Sequence, residues 1–279
     1  MWSDVTGMGV RDEFMGSSGV DDARESMRFV LIASLLSLVL WFVPVLGMAL
    51  YPVRLFVTYI HELCHAFAAV LTGGWPQQVE IYLNTSGLTN TIGGSALIIS
   101  SAGYVGTPIV GAALLLASAR RWMVRPALIA TGLVLALSAV WLGGNLLAWT
   151  AGLGIGALLV GLGAKASPRV ARFVLSFVAI QCMLNALSDL KFLFWLSMSS
   201  PTATDAQNMA SATYGFVPAV VWTVVWAAIA LTMLAGAMWL YYRTTARLSL
   251  GDLGQPQLDT SQPMSTINKS QSGFRSPFV

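Results

Sequence analysis

Charge is what this sequence has least of. Of its 279 residues only 10% are Asp, Glu, Lys or Arg, where a soluble chain carries roughly a quarter. That shortage excludes a water-soluble fold of this size. Histidine and cysteine are scarce too, with two of each. Cys64 and Cys182 both fall in apolar stretches, so a disulfide framework is not expected. No repeat of fixed period and no collagen or heptad pattern is present. The net charge of +3 comes from Lys and Arg gathered in short loops, which points to membrane topology and anionic headgroups rather than nucleic acid.

What the chain does have is apolar length. Apolar residues make up 56% of it, and about 20 of them at 1.5 Å each cross a bilayer core of about 30 Å. Residues 29–50, 55–72 and 95–119 each read as one span. The 126–164 run is too long for one crossing and breaks naturally at Gly143, Gly144 and Asn145. Ser167 and Pro168 look like the start of a further helix that runs past Asp189 toward Ser200. A last span covers about 214–242. The expectation is an all-α polytopic membrane protein with about seven transmembrane helices. Residues 1–28 read as a solvated tail, 29–242 as the membrane domain, and 243–279 as a disordered Ser, Gln, Pro and Gly tail. Between the second and third spans, Val79, Ile81 and Leu83 alternate with Glu80, Tyr82 and Asn84, and after Gly87 comes a second short run to Ile92. That pattern predicts a β-hairpin. The closely spaced Gly152, Gly154, Gly156, Gly161 and Gly163 read as helix packing.

The second span carries His61-Glu62-Leu63-Cys64-His65, the H-E-x-x-H pattern. On a helix its histidines lie one turn apart on one face and can reach a single Zn²⁺, with Glu62 beside them as a base. With two histidines and four glutamates in the chain, chance produces this pattern about once in ten thousand sequences of the same composition. An ionisable cluster at membrane depth points to function. A catalytic zinc site takes three protein ligands and leaves one position open. No histidine remains for the third. Asp189 is the other acidic residue deep in a predicted helix, at a depth like that of the histidines and in a helix running the same way. Cys182, Asn185 and Asp189 share a helical face, so Asn185 could steady the metal site or a substrate carbonyl. Asp205 is expected in a polar connection at 201–211, solvated and without a ligand role.

The sequence resembles the site-2 protease superfamily of intramembrane zinc metalloproteases, in particular its small branch without a PDZ domain. The resemblance rests on His61 to His65 and Thr72-Gly73-Gly74, on Gly87-Leu88-Thr89 in the hairpin, and on Ser101 to Gly106. It extends to Asn185 to Asp189 and Thr204-Asp205-Ala206. It implies His61, His65 and Asp189 as zinc ligands, Glu62 as catalytic base, and a membrane-protein substrate cleaved in or near its transmembrane segment. The chain departs from better-known members at the third ligand, where Leu190 and Lys191 follow Asp189 in place of a Leu-Asp-Gly ending.

The expected protein is a multi-pass integral protein of the cell membrane whose partners are lipid and a membrane-protein substrate, with no nucleic acid. The rival readings are a non-catalytic regulatory protein of the same fold and a metal-ion transporter. Carriers usually spread polar residues along a path and often show repeated halves, whereas this chain has one compact cluster. The positive-inside rule favours the N-terminus outside, because Arg54, Arg120, Arg121 and Arg125 then gather inside with most of the remaining basic residues, whereas the family resemblance implies the opposite direction for the His61 helix, with catalysis nearer the cytoplasmic leaflet.

Overall fold

The computed structural model describes residues 25, 27–36, 48, 50–199 and 204–253, with the side chains of 185–189, 191, 192, 197–199 and 247–253 outside that description. The expected tails therefore lie largely outside the described residues. An apolar helix α1 covers Met27–Leu36, and the rest of the expected 29–50 span is mostly outside the description. Then follow α2 (Tyr51–Leu71), β1 (Trp75–Ile81), β2 (Gly87–Ile92), α3 (Ala96–Ser118), α4 (Arg121–Leu142) and α5 (Leu146–Lys165). The order ends with α6 (Pro168–Ser199), the short α7 (Asp205–Ala212) and α8 (Ala219–Leu253). Among the described residues five helices, α2, α3, α4, α5 and α8, are long and apolar enough to cross a membrane. The chain is a multi-pass integral membrane protein with one small hairpin among the described residues, while the count of about seven spans is not established.

Local chemistry sets most of the boundaries. Pro52 lies in the first turn of α2, where a missing N–H costs nothing. The α4–α5 break falls at 143–145, as expected, and Asn145 caps α5 by accepting a hydrogen bond from the Ala148 N–H at 2.8 Å. The 201–211 connection is where the structure differs. Residues Asp205–Ala212 form a helix, capped by Thr204, whose hydroxyl oxygen accepts from the Gln207 N–H at 3.2 Å. The last long helix starts at Ala219 rather than near 214, because Tyr214 and Gly215 both take positive φ, 54° and 76°, and turn the chain there.

Glycine packing is seen at three of the five positions. A Cβ at Gly152 would lie 2.5 Å from that of Ala139, one at Gly156 would lie 2.7 Å from the Gly132 carbonyl oxygen, and one at Gly163 would lie 2.7 Å from Ile129 Cγ1. These let α5 approach α4 closely. Gly154 and Gly161 have open space around them and take no part in that contact.

The hairpin is what carries the fold toward the site. Gly73, Gly93 and Gly94 at positive φ reverse the chain at its base, and the two strands run back along α2. The Thr58 hydroxyl donates to the Thr85 carbonyl at the hairpin turn, 2.7 Å away. Thr58 lies 13 residues before the end of α2, so the hairpin folds back by about 20 Å. The strands pair antiparallel, with Val79 opposite Thr89 and Ile81 opposite Gly87. The outer edge of β1 is closed by the α4–α5 connection: the Gly144 N–H donates to the Val79 carbonyl at 2.8 Å, and the Asn145 side chain donates to the Ile81 carbonyl at 2.8 Å. Asn145 Oδ1 also accepts from the Ile81 N–H at 3.4 Å. Since Val79 and Ile81 turn these groups outward, their partners Thr89 and Gly87 turn theirs to the far edge of β2. No other strand pairs with that edge among the described residues.

Candidate metal centre

The site is built on the middle of α2. His61 and His65, one turn apart, bring their rings to a centroid separation of 4.7 Å at a steep angle. Glu62 and His65 are buried, at 4% and 5% exposure. His65 Nδ1 lies 2.6 Å from the Ile99 carbonyl oxygen of α3. A carbonyl only accepts, so Nδ1 carries the proton and Nε2 presents its lone pair. Gly103, one turn further along α3, leaves room for both imidazoles, since a Cβ there would lie 2.5 Å from His65 Nε2. Tyr104 packs edge-on against His61 at 4.7 Å and stacks on Trp226 of α8 at 4.8 Å. The His61 ring is thereby backed by two further helices.

Ligand-type atoms of His61, Glu62 and His65 all lie within 4.8 Å of one another, a group able to hold a metal ion. Asp205 joins them. As the first residue of α7, it brings Oδ2 to 3.4 Å from His65 Nε2 and 3.7 Å from His61 Nε2. Its expected place as a solvated residue of a polar connection is corrected by this contact: the Thr204 cap starts a helix whose first turn faces the histidines. Burial pushes the Asp205 carboxyl up, and when the histidines are protonated the charge of His65 and His61 more than reverses this, holding it below the usual carboxylate range. With 26% of the side chain still exposed, water screens part of that attraction. Asp189 is in α6, the helix expected for it, but its side chain and that of Asn185 lie outside the described residues.

Glu62 is held from the hairpin. The Thr89 hydroxyl is 2.7 Å from Glu62 Oε2 and 3.0 Å from the Glu62 carbonyl oxygen. A Cβ at Gly87 would lie 2.7 Å from Glu62 Cδ, so only glycine lets β2 come this close. Beside this group a cavity of about 470 Å³ opens between β2, the start of α3 and the inner face of α7, with Glu62, His65, Thr89, Asp205 and Asn208 among its walls. Sequence reasoning missed Asp205, Thr89, Gly87 and Gly103 as parts of the site. The signal for the first was in the chain, because Thr204 followed three residues later by Gln207 is a helix-start pattern.

A helical membrane protein with an H-E-x-x-H helix packed against a β-hairpin, its histidine pair facing a carboxylate and a cavity, is of the metalloprotease class. The Peptidase M50B-like family model matches residues 30–237. The chain belongs to that family, which implies a metalloprotease. No curated protein and no solved structure matches the chain.

Proposed function

We propose that the protein is an intramembrane zinc endopeptidase in which His61, His65 and Asp205 hold the metal and Glu62 is the general base. The spacing of the donor atoms carries this reading. Tetrahedral zinc with bonds of 2.0–2.1 Å places neighbouring ligand atoms about 3.3 Å apart, and the Asp205 oxygen lies 3.4 and 3.7 Å from the two imidazole nitrogens. Those separations are too long for good hydrogen bonds and suit a shared cation. The His65–Ile99 contact supports the same reading, since it fixes the ring with Nε2 free to bind. Asp189 is the rival third ligand from its depth in the sequence, and Asn185 the rival aid beside it. Asp205 is favoured by its approach to the histidines, at 3.4 and 3.7 Å.

His61, His65 and Asp205 would hold zinc, which would supply Lewis acidity to a water and a peptide carbonyl. Glu62 is placed to take a proton from the attacking water, whose oxygen bonds to the peptide carbonyl carbon, and to pass that proton to the amine that leaves as the C–N bond breaks. Its burial excludes competing solvent. A transmembrane substrate must first unwind, because its carbonyls are engaged in helical hydrogen bonds. The free edge of β2, offering the N–H and C=O groups of Gly87 and Thr89 beside the cavity, is suited to holding the unwound segment as an added strand. Β1 offers no such edge, being closed by Asn145.

The test is cleavage of membrane proteins in cells carrying wild type or Glu62→Gln. Fragments that appear only with wild type support the reading, and equal fragments with both refute it.

A further inference from the structure

We propose that Thr89 is the positioning residue for the general base, so that the strand offered to the substrate also orients Glu62. The inference rests on the protease reading above. A threonine hydroxyl has one proton to donate, and of its two acceptors the Glu62 carboxylate is the nearer, at 2.7 Å against 3.0 Å for the backbone carbonyl. Hydrogen bonds to an ionised acceptor are shorter and stronger, so the proton belongs to Oε2. That leaves Oε1 as the oxygen free to take a proton from water. Gly87 lies on the Oε1 side of the same carboxylate: a Cβ there would overlap Glu62 Oε1 and Cδ, so the absent side chain leaves Oε1 its room.

Glu62 has no other hydrogen-bond donor to its carboxylate among the described residues. The hydrogen bond that orients its carboxylate therefore comes from β2, with one hydroxyl that holds it and one glycine that permits the approach. β2 is also the strand whose Gly87 and Thr89 backbone groups face the cavity. A peptide docked on that edge would tighten the same two residues that hold the base, tying proton transfer to substrate binding. Misplacing a catalytic group by about 1 Å costs on the order of a hundredfold in rate, which sets the scale expected here.

The experiment uses the full-length, zinc-loaded protein in detergent with a membrane-protein substrate. Thr89→Val keeps the shape and removes the hydroxyl, while Thr89→Ser restores a donor. The expected result is a fall in kcat of about a hundredfold for Thr89→Val, with KM and zinc content unchanged, and recovery to within a few-fold for Thr89→Ser. Wild-type kcat in Thr89→Val, or equal losses in both variants, would overturn the proposal. A second arm needs no turnover: amide hydrogen exchange of residues 87–92 in Glu62→Ala, Thr89→Val and the double variant. If the two side chains act through one bond, the double variant exchanges no faster than the faster single variant. Multiplied effects would overturn the coupling. Should wild type cleave no faster than Glu62→Gln, the protease reading falls, and the exchange arm still decides whether Thr89 holds Glu62.

Discussion

A methyl group on Gly103 tests the metal centre without replacing any ligand. In Gly103→Ala the new Cβ would sit 2.5 Å from His65 Nε2, where ordinary contact needs about 3.4 Å or more. The obstacle is the tip of two side chains rather than backbone, so the fold can relieve the clash by moving the imidazoles about 1 Å. Metal–ligand distances tolerate only about 0.2 Å. The strain of overpacking, about 1–3 kcal/mol, should then appear as weaker metal binding, a loss of about 5- to 150-fold at 1.4 kcal/mol per factor of ten. A competitive zinc titration with a chromophoric chelator reads the affinity, and thermal unfolding of the metal-free protein reads the fold. The expected outcome is weakened zinc with an unfolding midpoint near that of wild type. Zinc affinity within twofold of wild type would refute the placement of the histidines against α3.

Further expectations follow from other contacts. Thr204→Ala removes the α7 cap, a loss of about 1 kcal/mol, and should weaken zinc by several-fold as Asp205 loosens, with Thr204→Asn restoring it in the same titration. Asn145→Ala and Ile81→Pro each unfasten β1 from the α4–α5 connection. Both should speed amide exchange across 79–92 and lower turnover more than zinc content, and normal turnover in both would refute a role for the hairpin in substrate binding. Gly156→Val forces α5 away from the Gly132 carbonyl and should lower the unfolding midpoint, whereas Gly154→Val, in open space, should leave it unchanged.

The helices and the hairpin were legible because each depends on short-range pattern. Charge-free length marks the spans, period-two alternation marks the strands, and Gly143 to Asn145 marks the break that the fold uses. The histidine pair was legible for the same reason, since five consecutive residues of one helix carry it. Contacts across long sequence separations were not. Asp205 reaches His61 from 144 residues away, and composition favoured a solvated connection at 201–211 because polar residues dominate it. The Thr204 and Gln207 pair pointed the other way, and capping decided the outcome. Gly103 and Gly87 lie in segments that carry the family resemblance, but only the approach of a second element shows what each glycine is for. Asn145 read as part of a turn, yet it also closes a strand edge that the pattern of β1 could not announce.

The most direct test of the account is the zinc content of purified wild type beside His61→Ala, Asp205→Ala, Asp189→Ala and Glu62→Gln. The account predicts one zinc per chain in wild type, Glu62→Gln and Asp189→Ala, with most of it lost in His61→Ala and Asp205→Ala. Full zinc in Asp205→Ala together with loss in Asp189→Ala would transfer the third ligand to α6, and a wild type without stoichiometric metal would contradict the central claim.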